Sequence, residues 1–272
     1  GLGNKFLANI REVDAICQVV RDFENSDIVH VHNKIDPEDD LRTINLELIL
    51  ADLEIVSNKI DRLKKTLRSG ADKQTEKIIS ILEKIEGLLK NEKLAIKANL
   101  DDEEKSLVKD LNLLTLKPMI YLRNIDEKSE TVSKFKDDYA AIEMNIKMEA
   151  DLAELSEEDA KEYRQELGIK ESGLNKLILA SYQILDLITF YSAAAKNINQ
   201  AWTVKKGATG PQAAGVIHSD FEQGFIRVEV INIDQLIECT SETIAKEKGL
   251  IRTEGKDYII KDGDVCHFLF AN

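Results

Sequence analysis

Leu116-Lys117-Pro118-Met119-Ile120-Tyr121-Leu122-Arg123-Asn124-Ile125-Asp126-Glu127 is the stretch on which the reading of the chain turns. An apolar run of strand length stops abruptly at a polar Asn-x-x-Glu turn. In open α/β sheets, ligands bind in turns that follow the carboxyl ends of buried parallel strands. The stretch therefore predicts a parallel strand whose following loop, Asn124 to Glu127, meets the base of a nucleotide. Two other segments carry a more familiar form of this signal, Asn33-Lys34-Ile35-Asp36 and Asn58-Lys59-Ile60-Asp61. There a carboxylate at the fourth position can accept both N–H groups of a guanine edge while Asn pins the loop.

Periodicity and topology separate the three. Leu46, Ile49, Leu53, Val56, Ile60, Leu63 and Leu67 step by three and four residues, the spacing of a coiled-coil seam. Ile60 belongs to that seam, so Asn58 to Asp61 is predicted to sit in mid-helix. A turn at 69–72 precedes Ile78, Leu82, Ile85 and Leu89, which resume the step. Matching seams with a short connection predict an antiparallel helical hairpin, an inserted arm over 37–113; two helices of a compact bundle are the alternative. Asn33 to Asp36 follows a strand-like run, Ile28-Val29-His30-Val31. Only a short turn separates that run from the core strand expected over 15–20, and a parallel neighbour needs a crossover of roughly a dozen or more residues. Between Phe23 and Pro118 the crossover is ample, so topology favours Asn124.

Around these segments, 5–13 reads as a short amphipathic helix and the acidic run 101–104 as a helix start. A brief helix is expected over 129–139, a strand over 140–146, helices over 149–155 and 157–167, and a strongly apolar helix over 174–187 containing Leu177, Ile178, Ala180, Ile184 and Leu185. From residue 189 the texture changes to short strands at 201–204, 215–218, 225–230, 258–260 and 265–270, with one helix over 233–239. The turns 207–211 and 261–264 punctuate them. This predicts a small α+β domain with its boundary near residue 188.

With 37 basic and 50 acidic residues among 272, the net charge is −13, which disfavours wholesale coating of nucleic acid or anionic membrane while leaving room for a local basic face. Cys17, Cys239 and Cys266 lack metal-ligand spacing and read as buried reduced thiols of a cytoplasmic protein. No apolar run approaches the roughly 20 residues of a membrane span. Gly249 to Gly255-Lys256 spaces its glycines wrongly for a phosphate loop and puts Asp257 where a hydroxyl must reach Mg²⁺, so a hairpin turn is expected. His30 and His32 read as a surface pair, His218 as a hydrogen-bonded turn residue, and Trp202 as core. No spacing argues for a nucleophilic triad or a metal site, and no catalytic residue is assigned.

Gly1-Leu2-Gly3-Asn4-Lys5-Phe6-Leu7-Ala8-Asn9-Ile10-Arg11-Glu12 resembles the segment after switch II in the YchF family of Obg-related P-loop nucleoside triphosphatases. The likeness continues in 27–31, 114–118 and 173–176. It is strongest in Ala201-Trp202-Thr203-Val204, Val216-Ile217-His218-Ser219-Asp220-Phe221-Glu222-Gln223-Gly224-Phe225-Ile226-Arg227 and Glu254-Gly255-Lys256-Asp257-Tyr258. It implies an α/β fold: a partial P-loop G domain with a parallel sheet (1–36 and 114–188), interrupted by the helical arm. A C-terminal ubiquitin-like β-grasp (TGS) domain would occupy 189–272. The family's base motif, Asn-x-x-Glu, falls on Asn124 and Glu127, with Ile125 offering backbone groups to adenine. Its last G motif falls on 145–149, ending at Glu149, with Lys147 and Met148 in place of the usual small residues. ATP, or GTP, with Mg²⁺ is the implied cofactor. The phosphate loop, both switches and the Mg²⁺ ligands are expected upstream of Gly1, and residues 1–272 alone are expected to bind nucleotide weakly and hydrolyse nothing. The implied partner of this monomer is the ribosome or RNA, met through the arm and the TGS domain, with Lys205, Lys206, His218 and Arg227 as contact candidates. A non-catalytic interaction protein using the same surfaces is the competing reading.

Overall fold

The computed structural model describes residues 3–25, 35–67, 72–126, 141–169, 171–193 and 200–271. The expected strand at 28–31, with His30 and His32, lies outside them. So do Asn33 and Lys34, the turn at 69–71, the helix at 129–139, and Glu127. The chain divides into two compact units, residues 1–184 and 185–272.

The first unit opens with α1 (Asn4–Arg11) and β1 (Ile16–Asp22), followed by the long α2 (Pro37–Leu67), α3 (Lys73–Lys90) and α4 (Asp102–Val108). Then come β2 (Met119–Ile125), β3 (Ala141–Met144), α5 (Ile146–Ala153), α6 (Glu157–Glu166) and α7 (Gly173–Ile184). The strands form one parallel sheet in the order β1-β2-β3, with Ile16 opposite Met119 and Tyr121 opposite Ala141. The crossover from β1 to β2 runs through α2 to α4, so the topology inferred from Phe23 and Pro118 holds. Asn58 lies exposed in mid-α2. Asp36 has a plainer task than base reading: its carboxylate accepts from Asp39 N at 3.2 Å, satisfying a free amide at the start of α2.

Ile49, Val56 and Ile60 of α2 pack with Ile81, Leu82, Ile85 and Leu89 of α3, as the seam predicts. The same core takes in Leu94, Ala95, Ala98, Val108 and Leu113, so the hairpin is backed by a further layer. Toward the start of α2 the seam reading needs correction. Leu46 is exposed, whereas Leu41, Asn45, Leu48 and Asp52 are buried, because this half of the helix turns its face to the sheet instead of to α3. Leu41 joins Val20 and Tyr121, and Gln18 Nε2 donates to Asn45 Oδ1 at 2.7 Å. Asp52, with no exposure at all, accepts from Leu114 N (3.1 Å), Thr115 N (2.7 Å), Thr115 Oγ1 (2.7 Å) and Arg11 Nη1 (2.9 Å). On the other face of the sheet, α7 lies against β2 and β3. Cys17 and Val19 of β1 are exposed there, so Cys17 is no buried thiol and β1 is buried on one face only; Cys239 and Cys266 are buried as expected.

The second unit holds β4 (Leu187–Ser192), β5 (Gln200–Lys205), α8 (Gly210–Ile217), α9 (Ser219–Gln223), β6 (Phe225–Asn232), α10 (Ile233–Cys239), α11 (Glu242–Glu247), β7 (Arg252–Glu254) and β8 (Asp264–Phe270). The sheet order is β5-β4-β8-β6-β7, with β4 parallel to β8 and the other pairs antiparallel, the β-grasp arrangement. Phe190, Val228, Val230, Ala213, Ala214 and Cys266 fill its core, and Phe190 meets Phe268 edge to face. Trp202 packs on this core and donates to Ser192 Oγ at 3.0 Å.

Three sequence readings change here. Residues 215–218 are not a strand but the end of α8, whose start hides in the presumed turn: Gln212 accepts from Thr209 N at 2.9 Å, and Pro211 stands in the first turn. Leu187, read as the end of an apolar helix, opens β4, because α7 ends at Ile184 and a turn at Leu185 and Asp186 follows it. Residues 258–260 contribute a single bridge, Thr209 to Ile259, and no strand.

Candidate functional site

Parallel strands bring their carboxyl ends to one edge. Asp22 stands opposite Ile125 and Asn124 opposite Met144, so all three strands of the first sheet finish together. The loops that leave them enclose a cleft of about 530 Å³. Phe23, Glu24 and Asn25 line it from β1, Asn124, Ile125 and Asp126 from β2, and Asn145, Ile146 and Lys147 from the start of α5.

Each wall is tied by hydrogen bonds that the local sequence supplies. Asn124 Oδ1 accepts from Ile146 N at 3.2 Å, fastening the β2 loop to the α5 entry. Asn145 caps α5, accepting from Met148 N at 3.0 Å. Arg21 donates to the carbonyls of Phe23 (3.0 Å) and Asn25 (3.1 Å), with its guanidinium 4.8 Å from the Phe23 ring centre. Beneath the cleft, on the sheet face that carries Gln18, Val20 and Tyr121, Arg123 is buried and donates through Nη2 to Asp22 and through Nη1 to Glu143. One guanidinium thus joins all three strands at their ends.

Of the residues singled out in the sequence, Asn124 and Ile125 line the cleft and Glu127 lies outside the described residues. Glu149 turns away: its carboxylate accepts from Gly173 N at the start of α7. Gly173 is needed for that approach, since a Cβ there would meet the Met144 side chain at 2.7 Å. Asn145 and Lys147, placed in the last G motif by the resemblance, line the cleft, whereas Phe23 and Arg123 were missed. The signal that finds them is register: once β1 and β2 are parallel, whatever follows each strand must share an edge with Asn124.

In the second unit, Lys205 ends β5 and donates to Leu185 O at 2.6 Å, with exposed Lys206 next to it. Arg227 is exposed on β6, with β4 and β8 between that strand and β5. His218 is indeed a turn residue: its Nδ1 accepts from Asp220 N at 3.2 Å, capping α9. Residues 249–256 form no phosphate loop, because 252–254 are β7. Among the described residues no group of three or more His, Cys, Asp or Glu side chains is placed to hold a metal ion, and no helix is long and apolar enough to cross a membrane.

Comparison with known proteins agrees with this geometry. The family YchF-GTPase_C, described as a protein of unknown function (DUF933), matches residues 187–271. The ribosome-binding ATPase YchF of Haemophilus ducreyi is 50% identical over 279 aligned residues, covering 99% of this chain and 76% of that protein. The chain belongs to the YchF family. Its Bacillus subtilis relative, also named ribosome-binding ATPase YchF, is 46% identical over 283 residues and covered to 76%. The solved structure of the Schizosaccharomyces pombe YchF GTPase superposes with a TM-score of 0.87 at 33% identity, over 99% of this chain and 75% of that one. The likeness to YchF proteins thus spans both units, from the three-stranded sheet with its cleft to the β-grasp.

Proposed function

We propose that this chain carries the base-reading and partner-facing parts of a nucleotide-dependent switch, an ATPase acting on the ribosome with ATP preferred over GTP. The observation that carries the reading is Asn124, which pins the β2 loop to the α5 entry over a cleft at the shared carboxyl edge of three parallel strands. Asn124 orders the loop, Ile125 offers backbone groups to the adenine edge, and Glu127 takes the fourth position that holds Asp in Asn-Lys-x-Asp, with its carboxylate shifted one methylene further from the backbone. The shift, together with the missing Lys, weakens discrimination for guanine. Glu149 acts on the cleft indirectly, by joining α5 to α7.

Residues 1–36 and 114–188 constitute the nucleotide-binding part, 37–113 the arm, and 189–272 the TGS domain. The bacterial relatives named as ribosome-binding ATPases support a ribosomal partner, with Lys205, Lys206, His218 and Arg227 on the surface offered to it. Residues 1–272 contain no complete Gly-x-x-x-x-Gly-Lys-Ser/Thr, so hydrolysis with Mg²⁺ requires phosphate-binding residues from outside them.

Titration of ATP and GTP into the protein tests the reading. Asn124→Ala is expected to weaken both at least tenfold, and Glu127→Ala to change their ratio, while Asp36→Ala leaves the ratio alone. A ratio that responds to Asp36→Ala and not to Glu127→Ala overturns it. No nucleotide binding by any form would favour an interaction protein in which arm and TGS domain meet their partner without nucleotide.

A further inference from the structure

We infer that Arg123 is a positioning residue for base binding: by joining Asp22 and Glu143 it fixes the spacing of the loops that form the cleft. The inference rests on the nucleotide reading of that cleft.

Arg123 occupies the position before Asn124, so its side chain leaves β2 on the opposite face and cannot touch a base held by Asn124. Its two terminal nitrogens each take a different carboxylate, Nη2 that of Asp22 at the end of β1 and Nη1 that of Glu143 in β3. Phe23 follows Asp22 directly. Asn145 stands two residues beyond Glu143. The gap between Phe23 and Asn145, which is the width of the cleft, is therefore set one or two residues from a rigid planar fork. A charge trio centred on a buried arginine is weak evidence for stability, since desolvation offsets much of its attraction. Its geometric effect is different, because strand ends held at fixed spacing lose less freedom when a ligand enters between their loops. Lysine supplies the same charge as a single point on a flexible stem and cannot hold two carboxylates at the guanidinium spacing.

The test uses the full chain and a fluorescent ATP analogue, with competition by ATP and GTP. Two variants are compared with the parent: Arg123→Lys, and a neutral trio combining Asp22→Asn, Arg123→Met and Glu143→Gln, which leaves no unpaired buried charge if Arg123→Lys folds poorly. Both are expected to raise Kd about tenfold and to move the ratio of ATP to GTP affinity, with the melting temperature of the neutral trio within a few degrees of the parent. A merely structural role would lower the fraction of competent protein and leave Kd and the ratio unchanged. A folded variant with Kd within twofold of the parent and the same ratio overturns the positioning role while leaving the nucleotide reading intact. A parent that binds neither nucleotide overturns that reading, and the positioning role with it.

Discussion

The two sheets of this molecule are held by different means. The β-grasp sheet has five strands and a sealed apolar interior built on Phe190, Val228, Val230 and Phe268. Among the described residues the parallel sheet has three strands, and beside apolar contacts such as Val20 and Tyr121 with Leu41 the first unit carries polar, directional ones: Gln18 to Asn45, Asp52 to Arg11 and the Leu114-Thr115 turn, Arg123 to Asp22 and Glu143. Apolar burial is roughly proportional to area and indifferent to direction. A carboxylate that accepts four hydrogen bonds fixes where each donor must stand. The grasp sheet is stabilised by its apolar core, whereas the polar bolts of the first unit, added to the apolar core between α2 and α3, specify where loops and helices stand.

The contrast can be broken most directly at its apolar end. Phe190→Ala should cost about 4 kcal/mol through the lost burial and the cavity left behind, seen as faster amide hydrogen exchange within 185–271. Should exchange there stay unchanged, the grasp core does not depend on that ring. Next in size, Asp52→Ala strands three buried donors, those of Leu114 N, Thr115 N and Thr115 Oγ1, and is expected to cost about 3 kcal/mol, with exchange rising at residues 11 and 112–116. Asp101→Ala removes one half of a capping box, in which Asp101 accepts from Glu104 N at 2.8 Å, and should cost about 1 kcal/mol in chemical denaturation.

A smaller effect is expected from alkali. Burial, with the hydrogen bond to Asp264 adding to it, lifts the Tyr258 hydroxyl from 10.0 to about 12. The raised value favours the neutral phenol in the folded protein, so its contribution is complete below pH 10 and is lost as pH climbs toward 12. Phenolate absorbance should show Tyr258 titrating late, and Tyr258→Phe should remove one tyrosine's share of the late phase. Smallest of all, the double change Gln18→Met with Asn45→Leu removes both partners of a buried hydrogen bond together with the unsatisfied Gln18 Oε1, and should be close to neutral in the melt. A large loss would show that this pair holds the arm to β1 as firmly as Asp52 does.

What could be read without coordinates was whatever depends on period and order. The seam through Val56 and Ile60, the parallel pairing of β1 with β2, and the elimination of Asn58 all follow from local spacing or crossover length. What escaped depends on partners far apart in the chain. Asp52 and Thr115 are separated by 63 residues and Arg123 and Asp22 by 101, and nothing local marks either carboxylate as the partner of so distant a group. Helix α8 escaped for a different reason: Gly and Pro at 207–211 read as a turn, although Thr209-x-x-Gln212 with Pro211 is equally a helix start. Asn124 stood out because it ends a strand abruptly, while Arg123 beside it carries no local signal of its own.

The long helix α2 has a mechanical consequence. Its 31 residues make a beam of about 46 Å, and Leu41, Asn45 and Asp52 clamp it over the first half. A beam clamped at Asp52 leaves an overhang of only about 22 Å, so a tilt of a tenth of a radian there moves Leu67 by ~2 Å, against ~5 Å if the pivot were at Pro37. Loosening Asp52 would leave Asn45 as the pivot, about 33 Å from Leu67, and so raise the throw by about half without altering a residue beyond the clamp.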